Sequence, residues 1–214
     1  MPTSINFWNK RARRYDRKLY KGPNYAARLE RAAAFGENAN VLDVGCATGE
    51  ITLDLAQHAG QVLGIDHAEK MTEAGNAKAK ERGISNCRFE PWDAHDANLV
   101  AGSFDAVTNY SLLHLVDDPR ATVGRFHELL RPGGHLLTEA PLLGDWNLVW
   151  RGLLKLLVGF RVCPRIGALT LADLEGMIRD AGFEILDSKV YNPKSGMHCI
   201  LARKRQGEGS GVSS

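Results

Sequence analysis

The chain has 214 residues, 44% hydrophobic and 24% charged, with a formal net charge of +2. That length suits one sizeable domain with a real core, and so balanced a charge gives no overall drive toward nucleic acid. No apolar run reaches the roughly 18–20 residues that span a bilayer.

The opening is basic. Between residues 10 and 31, Lys10, Arg11, Arg13, Arg14, Arg17, Lys18, Lys21, Arg28 and Arg31 face only Asp16 and Glu30. This reads as a solvated helix, or as a surface for an anionic ligand or membrane. The start, MPTSINFWNKRARRYD, has no apolar stretch of the kind a secretory signal carries. Cys46, Cys87, Cys163 and Cys199 lie far apart with no C-x-x-C pair. That spacing suits neither structural zinc nor a disulfide framework, so a cytoplasmic setting and no metal are expected.

Residues 24–36 predict a helix stopped by Gly36. VLDVG is a buried strand, and from Gly49 a helix runs toward Gly60. QVLGID (61–66) is the second strand, 68–82 a polar helix ending at Gly83, and CRFEPWDA (87–94) the third strand with its exit. SFDAVTNY (103–110) is the fourth strand, 119–131 a helix that begins with Pro119, and HLLTEA (135–140) the fifth strand. Thr170 caps a helix over 171–181, with Asp173 near the capping-box position. FEILDSKVY and MHCILARK pair as a final hairpin across NPKSG.

Alternating strands and helices imply a parallel sheet covered on both faces. The expected fold is a Rossmann-like, doubly wound α/β sheet of seven strands, mostly parallel, ending in an antiparallel hairpin. A single domain over 1–204 would carry a helical cap at 1–36 and an apolar helical insert at 141–168. The Gly/Ser-rich tail, 205–214, is expected to be disordered.

The turn after the first strand reads Asp43-Val44-Gly45-Cys46-Ala47-Thr48-Gly49-Glu50. In open α/β sheets ligands sit beyond the carboxyl ends of the strands, and glycines there allow close backbone approach. A dinucleotide fingerprint needs glycine where Ala47 and Glu50 stand, and a P-loop fails as well. Glu50 would also repel a pyrophosphate, so the pocket suits a nucleoside without phosphates. Asp43 can receive an ammonium group. Asp66, about 20 residues past the turn, can accept from both ribose hydroxyls. Asp93 can accept from an adenine amine, with the Ala94 N–H left for a ring nitrogen. Each acid alone could be a cap or turn residue. Three at consecutive strand ends point to ribose, adenine and an amino acid together, which describes S-adenosylmethionine.

VLDVGCATG, GID, WDA, SFDAVTNYSLLHLVDDP and LRPGGHLLTE resemble the successive motifs of the class I S-adenosylmethionine-dependent methyltransferases. The chain is most similar to the small-molecule branch that includes the ubiquinone and menaquinone biosynthesis enzymes. The likeness covers about residues 5–140 well and the last helix and hairpin loosely. It implies S-adenosylmethionine as cofactor and S-adenosylhomocysteine as product. It places Met71 against the adenine, His67 at the cofactor's edge, and Gly45, Cys46, Ala47, Gly49 and Asn109 around it. FWNKRARRYD resembles the helix that such enzymes fold over the cofactor, which puts Tyr15 near the methionine part. Ala47 departs from the family's usual glycine and is expected to be tolerated with a negative φ.

Methyl transfer from a sulfonium is an in-line displacement with a good leaving group, so positioning can carry much of it. A base is needed only for a protonated nucleophile. His114 is the candidate base and Tyr110 the candidate orienting group, although His114 could equally pack within LLHLV. The segment 145–160, DWNLVWRGLLKLLVGF, is expected to cap a partly apolar small-molecule acceptor. Core packing and peripheral membrane contact through 146–160 are the other readings. Methylation of protein or RNA, docked on the basic helix, is a competing function; against it, no N-P-P-Y-like motif follows the fourth strand and no nucleic-acid module is appended. A non-catalytic cofactor-binding regulator is another.

Overall fold

Val41 and Leu42 are fully buried and Val44 nearly so, as a central strand covered on both faces requires. In the computed structural model, which describes residues 2–16, 23–145, 166–192 and 197–206, they form β1 (Asn40–Val44). Two helices precede it, α1 (Pro2–Tyr15) and α2 (Pro23–Ala32). After it come α3 (Glu50–Leu55), β2 (Gln61–Ile65), α4 (Glu69–Glu81), β3 (Cys87–Glu90) and β4 (Phe104–Tyr110). Then follow α5 (Pro119–Leu129), β5 (Leu130–Pro141), α6 (Leu171–Asp180), β6 (Phe183–Asn192) and β7 (Met197–Lys204).

The strands form one seven-stranded sheet in the order β3-β2-β1-β4-β5-β7-β6. The first five are parallel, while β7 runs antiparallel to both β5 and β6. The fold is therefore the Rossmann-like sheet with a terminal antiparallel hairpin that the alternation predicts. On one face Leu42, Ile65, Val107 and Leu136 pack against Val123 and Phe126 of α5 and Leu174 and Ile178 of α6. On the other, Val41, Val62, Phe89 and Ala106 meet Leu53 of α3 and Ala79 of α4. The strand order reverses beside β1, so a crevice opens there at the carboxyl ends of β1 and β4.

Helix starts follow local chemistry. Asp118 accepts the Ala121 N–H at 2.9 Å with Pro119 in the first turn, and Thr170 and Asp173 form a reciprocal capping box. Two helix ends differ from expectation. The helix after the turn stops at Leu55, well before Gly60, where the Asn86 amide collects the carbonyls of Ala56, Ala59 and Gly60 at 2.8, 3.0 and 3.3 Å. The helix expected over 119–131 stops at Leu129; Leu130 is already extended and pairs with Phe104. Lys204 then donates to the carbonyls of His127 and Leu130, each at 2.7 Å. In both cases a distant side chain satisfies carbonyls that further helix would have used.

Leu142, Leu143 and Leu169 are buried at the two ends of the insert. The rest of the apolar segment 145–160, Cys163 and the tail beyond residue 206 lie outside the described residues, and so do the lid, core and membrane readings attached to that segment. Among the described residues no helix is long and apolar enough to cross a membrane.

Candidate active site

The crevice is built on the turn that leaves β1. Gly45 and Gly49 take φ of +75° and +81°. A side chain at Gly45 would sit 3.0 Å from Leu112, and one at Gly49 would strike the Phe89 ring at 2.5 Å. Glycine is thus required twice over, by conformation and by space. Ala47 corrects an expectation: its φ is +48°, not negative. Tertiary contacts hold it there. Its N–H donates to the Asp66 carboxylate at 3.1 Å, and it packs with Trp8 and Tyr15 against the buried Ala12, Ala68 and Met71.

The three expected carboxylates occupy the three strand ends. Asp43 is buried, and its two oxygens accept the hydroxyls of Thr52 at 2.6 Å and Thr108 at 2.8 Å. Burial pushes its carboxyl up to about 6, against the pull of those hydroxyls and of Arg28. Asp66 is half-buried; one oxygen takes the Ala47 N–H, the other the Ala68 N–H at 2.8 Å. Burial raises it too. Asp93 is exposed, with one oxygen on the His95 N–H at 2.7 Å, beside the buried Ala94. Among the described residues each oxygen of Asp66 accepts a single bond, which leaves a lone pair for a ligand hydroxyl. Met71 is buried in the cluster with Ala12 and Ala68, and His67 is exposed.

A cavity of about 40 Å³ is lined by Tyr15, Asp43, Gly45, Cys46, Ala47 and Tyr110, all expected, and by Thr48, Glu50 and Ile51, which were not. Gly49, Asp66, His67, Met71, Asp93, Ala94, Asn109 and His114 are not among its lining residues. Burial drives the Cys46 thiol well up, so it stays protonated as a small wall group. Glu50 is held low in spite of burial by Lys78 and Arg82, both at 2.8 Å. Those cations offset its charge and weaken the case that it repels phosphate. Asn109 is fully buried, with its carbonyl on the Thr138 hydroxyl at 2.8 Å, on the sheet face opposite its neighbour Tyr110. The Tyr110 hydroxyl is buried with no partner among the described residues. Burial raises its pKa well above the ordinary value, so it stays protonated.

His114 lies just past β4. It is buried, its Nδ1 has no partner among the described residues, and burial lowers its pKa to about 4. It is neutral near pH 7 and offers a bare nitrogen. Its carbonyl accepts the Gly167 N–H at 2.6 Å, which ties the β4 exit to the chain returning from the insert.

Beyond the cavity walls, the residues that sequence reasoning missed are charged and distant from their partners. Arg28 of α2 grips Glu139 of β5 through two bonds of 2.8 and 2.5 Å, and lies 4.9 Å from the Tyr110 ring centre. Lys78 of α4 donates to the Thr48 carbonyl at 3.0 Å and pairs with Asp16 at 2.7 Å. Arg28 and Glu139 stand 111 positions apart, so no local pattern announces them.

The fit to S-adenosylmethionine can be tested on these features. Cβ atoms at Gly45 and Gly49 would obstruct the turn, Tyr110 brings to the cavity a buried hydroxyl with no partner among the described residues, and the carboxylates of Asp43, Asp66 and Asp93 offer acceptors of the kind that ribose, adenine and ammonium groups use. The set fits. Among the described residues no cluster of potential metal ligands occurs.

Comparison with known proteins agrees. A family model described as a methyltransferase domain matches residues 41–134. A ubiquinone biosynthesis O-methyltransferase from Xanthomonas axonopodis pv. citri is 31% identical over 180 residues, covering 78% of this chain and 71% of that protein. Nocamycin O-methyltransferase from Saccharothrix syringae is 37% identical over 51% of this chain; the match spans 41% of that relative's length. A solved S-adenosylmethionine-dependent methyltransferase from Methanosarcina mazei, 20% identical, superposes with a TM-score of 0.66 over 79% of this chain and 94% of that one. The chain belongs to the class I S-adenosylmethionine-dependent methyltransferases.

Proposed function

We propose that this protein transfers a methyl group from S-adenosylmethionine to a small, partly apolar acceptor, by in-line displacement governed mainly by positioning. The observation that carries the reading is the placement of Asp43, Asp66 and Asp93 at three consecutive strand ends around a turn that only glycine can build at residues 45 and 49. In this reading Asp66 accepts from the ribose hydroxyls, Asp93 and the Ala94 N–H meet the adenine, and Met71 supports its ring. Asp43, already committed to two threonine hydroxyls, favours the ammonium end by its charge more than by direct contact. When bound, the cofactor supplies an activated methyl group on a sulfonium.

Tyr110 and His114 act on the acceptor side. Tyr110, with a buried hydroxyl and a ring braced by Arg28, orients the acceptor. His114, neutral with an unpaired nitrogen, accepts a hydrogen bond from the acceptor and aligns it. With a pKa near 4 it is a weak base, which supports positioning over proton abstraction. The small-molecule class is supported by the names of two relatives, a nocamycin O-methyltransferase and a ubiquinone biosynthesis O-methyltransferase. Partial apolarity is supported by the composition of 145–160.

Isothermal titration with S-adenosylhomocysteine tests the site. Asp66→Ala should weaken binding at least about tenfold, the loss expected for charge-assisted hydrogen bonds. His114→Ala should bind as the parent does and lose turnover. Unchanged affinity in Asp66→Ala would defeat the ribose assignment.

A further inference from the structure

The cavity beside the glycine-rich turn, at the end of the site assigned to the methionine part, holds about 40 Å³, room for little more than a water or two. A wall must move for a ligand to enter; α1 reaches the wall through Tyr15, and α2 reaches it through Arg28 beside the Tyr110 ring. They are anchored in different ways.

α2 is held by a buried pair. Arg28 and Glu139 have side chains only 15% and 1% exposed. Lifting α2 would strand the Glu139 charge in the sheet, which is a costly event. α1 rests on the small apolar cluster of Ala12, Ala68 and Met71 and on a few polar contacts. The Asn9 side-chain carbonyl accepts the Lys70 N–H at 3.0 Å at the start of α4. Asp16, just past α1, accepts the Thr48 hydroxyl and pairs with Lys78 at 2.7 Å. The same ammonium donates to the Thr48 carbonyl and to Glu50. Its three donors thus join α4, the turn, the start of α3 and α1. If α1 lifts, Lys78 keeps Thr48 and Glu50, and Glu50 also keeps Arg82 at 2.8 Å. Asp16, already 41% exposed, passes to solvent. No buried charge is left alone, so α1 is the element that yields.

We propose that Lys78 is a positioning residue that latches α1 onto the glycine-rich turn, and that its pairing with Asp16 sets the rate at which cofactor and product exchange. The proposal rests on the reading that S-adenosylmethionine occupies this cavity. Lys78 touches no reacting atom. It acts through Thr48, a wall of the cavity, and through Asp16, which ends the helix that roofs it.

The test is the dissociation rate of S-adenosylhomocysteine, measured by stopped flow beside thermal unfolding. Lys78→Met and Asp16→Asn should release it about tenfold faster, the loss of one charge-assisted contact. Lys78→Arg should restore a rate near that of the parent. Equal rates in Asp16→Asn and the parent, with equal melting temperatures, would overturn the latch and leave the cofactor site standing. Should Lys78→Met unfold, Asp16→Asn decides, because Asp16 is half-exposed and its loss leaves Lys78 paired to Glu50. No binding by the parent protein would overturn the cofactor reading and the latch with it.

Discussion

Ala47 shows what a single residue reveals and conceals. The places of Asp43, Asp66 and Asp93 at or just past the ends of β1, β2 and β3 were legible from the strands and the turn residues that follow them. The backbone of Ala47 was not, since nothing local to it demands φ of +48°. The demand comes from Asp66, 19 positions away, and from the aromatic residues of α1. An L-residue in the left-handed region costs about 1–2 kcal/mol, partly offset by the extra unfolded-chain entropy that glycine would bring. Ala47→Gly should therefore raise stability by about 0.5–1 kcal/mol, read from the urea midpoint. A lower midpoint would mean that the lost methyl contacts with Trp8, Tyr15 and Met71 outweigh the relief. Asp43 makes the same point about reach. Its position was clear from the motif, but its commitment to Thr108, 65 residues away, emerges only when β1 and β4 pair.

Among the elements, β3 and its neighbours meet on one ring. Phe89 is buried between β2, the start of α3 and α4. A Cβ at Gly49, Gly64 or Gly75 would come within 2.5, 2.6 or 2.8 Å of it. Gly75 lies inside α4, where alanine would favour the helix by about 1 kcal/mol. Here the ring should reverse that preference. Gly75→Ala should cost about 1–3 kcal/mol through overpacking, measured by chemical denaturation. A stabilised variant would show that the ring has room to shift. The presence of each strand from β1 to β7, the parallel sheet and its final antiparallel hairpin were readable from apolar runs and turn residues, whereas the order of the strands in the sheet was not. The ends of α3 and α5 were not, because Asn86 and Lys204 terminate them from across the fold. Likewise the anchor of α2 on β5 joins Arg28, which reads as one more basic surface residue, to Glu139, which reads as an ordinary strand-end acid.

At the scale of the molecule, the charge placed around the cavity makes cofactor binding pH-dependent. Burial raises Asp43 to about 6 and raises Asp66 as well. An acid raised in the fold is favoured in its protonated form, so on this account folding is best supported at low pH. That support fades as pH climbs through the unfolded value toward 6. Binding has the opposite sign. A cationic ligand favours the ionised carboxylates, so affinity should rise as pH increases toward 6 and level off above it. Titrations between pH 5 and 8 with S-adenosylmethionine should show this rise, and Asp43→Asn should flatten it. A flat profile in the parent protein would remove Asp43 from the account of the ammonium end.

The central claim is that a methyl group moves from S-adenosylmethionine to a small, partly apolar molecule. Incubation of the protein with methyl-labelled S-adenosylmethionine and a cell extract, followed by counting of the organic, aqueous and macromolecular fractions, tests it most directly. The account predicts label in the organic fraction that disappears with Asp66→Ala. Label confined to protein or RNA, or equal label with and without Asp66, would contradict it.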